Sequence, residues 1–175
     1  MKNMKIISIS FFIFITLYGC DRNEKKQITG TWVTEACEKA INFSHLPIQY
    51  SAILNLNTEY WAVGVYTFTK ENEILYHPRL YTNSQCIETT PPLNLGTAIS
   101  ATFFESNEIT LPEGLKGREI TISFEQSKDI AFGHYTISDK LCFSKNLLFS
   151  ALDFSFLNIE NTNINFEKCL TISNN

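Results

Sequence analysis

Histidine is rare in this chain: His45, His77 and His134 are the only three in 175 residues. None stands at a helical or short-loop spacing from another ligand-type residue, so the sequence holds no local zinc pattern. Serine is plentiful, yet no Gly-x-Ser-x-Gly elbow occurs. Nor does a Gly-x-Gly-x-x-Gly or Walker-type loop that would cradle a phosphate. Basic charge is also short, with 14 Lys and Arg against 18 Asp and Glu and a net charge of −4. No basic stripe is left for nucleic acid. These absences remove the usual signatures of metal, cofactor and hydrolase chemistry. The expectation is a protein that is not an enzyme and needs no cofactor or metal.

What is present begins at the first residue, with MKNMKIISISFFIFITLYGCDRNEKK. Lys2 and Lys5 form a positive head, and Ile6 to Tyr18 is apolar except for Ser8, Ser10 and Thr16. That run is too short for a bilayer core, which takes roughly 20 helical residues. A positive head, a short apolar middle and a small residue at the cut is the pattern of a secretory signal. Leu17, Gly19 and Cys20 resemble the lipobox of bacterial lipoproteins, with Tyr18 in place of the usual small residue. The resemblance implies a diacylglycerol on the Cys20 thiol, removal of residues 1–19, and acylation of the new amino group by a third chain such as palmitate. Three chains exceed the two anchoring signals that stable attachment requires. The alternative is an ordinary signal peptide cut near Gly19. Asp21 matches the residue that often marks inner-membrane retention in such lipoproteins. The expected location is the envelope, with the folded part facing the periplasm or the exterior on the short tether 20–27.

Removing residues 1–19 takes away two lysines and no acid, leaving 12 basic and 18 acidic residues and a net charge of −6. No later stretch of the chain is apolar and long enough to span a membrane. The remaining length suits one domain, 28–175. Beyond Cys20 there are four cysteines, Cys37, Cys86, Cys142 and Cys169. An even number in an exported chain reads as two disulfides, although four cysteines allow three pairings. The pairs nearest in sequence, Cys37 with Cys86 and Cys142 with Cys169, each bracket one half and are expected. No Cys-x-x-Cys spacing suggests a metal site or a redox pair.

The mature sequence is rich in Phe, Tyr, Ile and Thr, with many short polar breaks, as strands are. In 118–125, Ile120, Ile122 and Phe124 alternate with Glu119, Thr121, Ser123 and Glu125, giving a half-buried strand. Further strands are expected over 28–33, 60–69, 74–82, 95–104, 108–111, 130–137, 141–144 and 165–172. Residues 70–73 and 105–107 read as hairpin loops between them. Pro78 argues for an edge or bulge. Residues 147–159 fit a helix face through Leu148, Ala151, Leu152, Ser155 and Phe156. Alternation of Leu148, Leu152, Phe154 and Phe156 favours a strand. The sum is an all-β, antiparallel up-and-down barrel of about 8–10 strands with two disulfides, since closure leaves no exposed edge.

Gly30 and Trp32 in ITGTWV resemble the Gly-x-Trp signature at the head of the first strand of lipocalins. Small bacterial lipocalin-like lipoproteins look similar over residues 30–86, with an early cysteine and a second one closing a segment like YTNSQC. The resemblance implies that Trp32 plugs the closed end and packs on a cation from near the last strand. The last arginine is Arg118, so Lys168 is the candidate.

The strongest candidate for binding is aromatic. Tyr60, Ala62, Gly64, Tyr66 and Phe68 share one strand face, and small residues at 62 and 64 leave room among the rings. A barrel of about eight strands can hold one small ligand. Tyr60, Tyr66 and Phe68 are therefore the expected lining for an apolar ligand or envelope lipid, unless they only fill the core. Phe103, Phe104, Phe132 and Phe154 are expected in the same core. The alternative function is an immunity protein or inhibitor that binds a protein partner. Its motivation is the acidic surface, with Glu71, Glu73, Glu105 and Glu108 in loops.

Overall fold

The computed structural model describes residues 27–40, 58–87, 93–94, 99–161 and 163–173, and these contain twelve strands and no helix. The signal segment, Cys20, Asp21, most of the tether and His45 lie outside the described residues. In chain order the strands are β1 (Gly30–Thr34), β2 (Glu38–Ala40), β3 (Tyr60–Phe68), β4 (Glu73–Tyr81), β5 (Leu93–Asn94) and β6 (Ile99–Thr110). The rest are β7 (Lys116–Phe124), β8 (Ile130–Ile137), β9 (Lys140–Phe143), β10 (Leu147–Phe149), β11 (Phe154–Phe156) and β12 (Leu170–Ile172).

Eight strands close a ring in the order β1, β3, β4, β6, β7, β8, β9, β12 and back to β1, every pair antiparallel. β2 continues the β1 edge along the other half of β3, and β5 does the same for β6 along β4. Pro78 falls opposite Gly64, at the gap between the β6 and β5 pairings, where a missing N–H costs no ladder bond. The hairpin turns from β3 to β4 and from β7 to β8 contain Asn72 and Lys128 at positive φ, 63° and 59°. Tight hairpins commonly require that conformation. Both expected disulfides are formed: Cys37 to Cys86 and Cys142 to Cys169.

Three expectations change. Residues 105–107 are not a hairpin loop. β6 runs from Ile99 through Thr110, and the register with β7 shifts between Glu105 and Glu108. Pairing with the same neighbour resumes at Glu108 opposite Arg118, so the chain bulges and continues instead of reversing. Residues 95–98 of that expected strand lie outside the described residues. The last strand is shorter than 165–172. Asn165 accepts the backbone N–H of Lys168 through its carbonyl and that of Glu167 through its side chain, making a turn before Leu170. Residues 147–159 hold two short strands joined by a turn at Ser150–Asp153, a hairpin that belongs to no wall of the ring.

The hairpin fills the barrel. Phe149 stacks on Phe143 of β9 at 3.9 Å between ring centroids, and Phe154 lies 5.1 Å from Phe124 of β7. Ala151 at its tip joins a second cluster with Ala40, Tyr60, Ala62 and Leu80. The register places these residues toward the end where β2 pairs β3. Trp32 lies toward the opposite end in the main core with Ile28, Phe68 and Leu170.

Candidate functional site

The expected interior lining is a core. Tyr66 is fully buried and faces Tyr76, Phe149 and Phe154 at ring distances of 4.9, 5.1 and 5.7 Å. Phe68 is surrounded in the same way by Phe103, Phe143 and Phe149. Tyr60 sits apart, in the second cluster. The room beside Gly64 is occupied by backbone. A Cβ on Gly64 would come within 2.5 Å of the Ser150 carbonyl oxygen and 3.1 Å of the Ala151 Cα. The gap in side-chain volume at 62 and 64 thus receives the hairpin tip.

Tyrosine hydroxyls hold that tip in place. Tyr66 donates to the Ser150 carbonyl at 2.5 Å, with the Asp153 carbonyl at 2.8 Å, and Tyr76 donates to the Ala151 carbonyl at 3.0 Å. Burial raises both phenol pKa values, and the nearby Asp153 carboxylate adds to the effect. Both therefore stay protonated as donors at neutral pH. At the opposite end, Tyr135 donates to the Glu105 carboxylate, which Arg118 approaches to 3.5 Å. Burial and then Glu105 raise its pKa too. Glu105 is consequently a partly buried strand residue and not a free loop acid. Glu73 and Glu108 also lie on strands, and Glu71 is in the β3–β4 turn.

Trp32 is buried and donates its indole N–H to the Ile28 carbonyl at 2.7 Å. Gly30 enters β1 at φ 143°, a conformation that suits glycine. Lys168 lies beside Glu38, Nζ to Oε1 3.9 Å. Since Glu38 pairs with Ala62 and Trp32 with Tyr66, Glu38 is placed toward the other end of β3. Among the described residues no group of three His, Cys, Asp or Glu side chains could hold a metal ion. A second pocket of about 290 Å³, beside Glu35, Glu38 and Lys168, is small and edged by ion-paired residues.

The larger pocket is on the outside of the wall. Phe104, Thr121 and Phe132 are direct register partners across β6, β7 and β8, so their side chains share one face. Phe103 and Phe124 take the inner face, buried in the core. Alternation therefore sends Phe104 outward, and pairing with Thr121 does the same to Phe132, correcting their expected place in the core. Phe104 is 66% exposed and Phe132 68%. Ile130 on β8, and Leu157 and Ile159 after β11, are also exposed. Together with Phe156 they line a cavity of about 700 Å³, open to solvent on one side and edged by Glu119, His134, Asn146 and Glu160. Asn146 fixes one margin by donating to the Phe132 carbonyl at 2.6 Å and accepting from Leu157 through its own carbonyl.

This size and lining, mostly apolar with a few polar groups, are those of small-molecule sites. Contiguous exposed apolar surface on a folded domain marks a place of interaction. The chain matches no family model, no curated protein and no solved structure. The site therefore has to speak through its own chemistry. In sequence the signal was available as an excess: β6 and β8 carry apolar residues on both faces, whereas β7 alternates cleanly.

Proposed function

We propose that this protein is a non-enzymatic envelope lipoprotein with a lipocalin-like barrel, anchored through Cys20, that binds a small apolar ligand or envelope lipid on the outer wall of the barrel. The observation that carries the reading is the 700 Å³ pocket floored by Phe104, Ile130 and Phe132. Leaving three large apolar side chains half to two-thirds exposed forgoes that share of the roughly 1.5–3 kcal/mol that fully burying each would give. A ligand recovers it. The two disulfides fit an oxidising compartment, and the lipobox-like Leu17–Cys20 supports the anchor.

The test is native mass spectrometry of the Cys20→Ser protein, exported and kept non-reduced. Wild-type pocket residues should give an added mass that leaves on denaturation, and the Phe104→Ala/Phe132→Ala variant should lack it. Retention of the mass by that variant would contradict an outer site. The second reading, an immunity protein or inhibitor seating a protein partner, draws on the same two phenylalanines, since exposed aromatics serve as anchors at interfaces. It expects no bound mass. It also expects a deletion strain sensitive to a toxin or lytic enzyme, rescued by the wild-type chain and not by the double variant.

A further inference from the structure

Charge around the outer pocket is one-sided. Its lining includes two carboxylates, Glu119 from β7 and Glu160 from the segment after β11, and no lysine or arginine. Ser106 donates to Glu119 at 2.7 Å and so orients the carboxylate, whose side chain remains about half exposed. The one nitrogen base in the lining is His134, with Nε2 4.0 Å from Glu119. Two cations on β7 are engaged elsewhere: Arg118 approaches Glu105, and Lys116 approaches Glu108 at 3.3 Å. The floor presents two phenylalanine rings, whose faces attract cations. We propose that the pocket takes a small single-chain amphiphile with a cationic head, its chain against Phe104, Ile130 and Phe132 and its head between Glu119 and Glu160. This rests on the pocket reading above and names the ligand class.

Three detergents with the same chain, used below their micellar concentrations, separate the possibilities. The probes are dodecyltrimethylammonium, the neutral dodecyldimethylamine oxide at mildly alkaline pH, and dodecyl sulfate. Each is titrated by calorimetry into the Cys20→Ser protein. The cation should bind about ten-fold more tightly than the amine oxide, as one or two partly exposed charge contacts allow. The sulfate should bind most weakly. Glu119→Gln/Glu160→Gln should bring cation and amine oxide within about two-fold of each other, leaving the amine oxide unchanged. The control Glu71→Gln/Glu167→Gln removes two charges that do not line the pocket and should preserve the discrimination. Equal affinity for all three probes overturns the cation inference and leaves the apolar pocket standing. An equal loss in the control pair assigns the preference to net charge and also overturns it. No binding of any probe overturns the pocket reading together with the inference.

Discussion

Phe149 and Phe132 are the same residue in two different situations. Phe149, on the inserted hairpin, is buried against Tyr66, Phe68, Phe143 and Phe154. Phe132, on the wall, has its ring on the outer face beside Phe104 and is two-thirds exposed. Inside the barrel the chain supplies its own occupant, whereas outside it leaves the apolar surface open. The difference separates stability from binding. A side chain whose partners are covalently part of the molecule adds to folding free energy, and one without such partners is available to another molecule.

The sharpest way to break this comparison is to truncate both rings. Phe149→Ala should cost about 3–5 kcal/mol, the usual cost of emptying a large aromatic site. Phe132→Ala should stay within about 0.5 kcal/mol, as surface changes do. Urea unfolding of both variants measures the contrast, and a similar loss in each would remove it. Next in size is the Cys142–Cys169 bridge, which ties β9, the strand that leads into the hairpin, to the chain just before β12. Its 27-residue separation predicts a loss of about 3.5 kcal/mol for the double alanine variant on the chain-entropy model.

Gly64→Ala addresses the plug directly. Its Cβ would meet the backbone of Ser150 and Ala151, which cannot swing aside as a side chain can. A cost of about 1–3 kcal/mol is expected, typical of overpacking, with the hairpin tip losing protection from hydrogen exchange. Protection unchanged from wild type would mean that the tip does not sit against β3.

Similar in size at neutral pH, and more diagnostic, is Tyr66→Phe. Losing the hydroxyl leaves the Ser150 carbonyl without its donor, at about 1–3 kcal/mol, whereas the Asp153 carbonyl keeps the Ser150 backbone N–H. The same side chain reports on pH. Tyr66, Tyr76 and Tyr135 all have raised pKa values when folded, whereas an unfolded tyrosine ionises near pH 10. Above that value the unfolded chain releases protons that the folded one retains. The stability these groups contribute is complete below about pH 10 and declines as pH rises beyond it. Urea midpoints should fall through that window, and less steeply in Tyr66→Phe. Equal slopes would show that Tyr66 ionises as freely in the fold as outside it.

The sequence discloses the walls of this barrel better than its contents. Ile120, Ile122 and Phe124 alternate with polar residues, so β7 and its buried face are legible directly. The cysteine pairs follow from nearness along the chain. The paired phenylalanines at 103 and 104 carry no such information, because alternation demands that one point outward without saying which. The register to Ile122 and Thr121 decides it. Residues 147–156 show the composition of a wall strand, and only the closed ring, which leaves them no edge to join, sends them inward. For the same reason the small residues at 62 and 64 announce a space but not its occupant. The outer site draws on separated stretches, β6, β7, β8, Asn146 and 156–161, which no local pattern unites.

The central claim is that binding takes place on the outer wall and not in the barrel. Backbone amide shifts of the isotope-labelled Cys20→Ser protein, followed while an apolar probe such as dodecyldimethylamine oxide is added, test it most directly. The account predicts saturable changes at Phe104, Thr121, Ile130, Phe132 and Leu157–Glu160, with Tyr66, Phe68 and Phe149 unmoved. Changes centred on Tyr66, Phe68 and Phe149 would contradict it, because the probe would then have displaced the hairpin and entered the barrel.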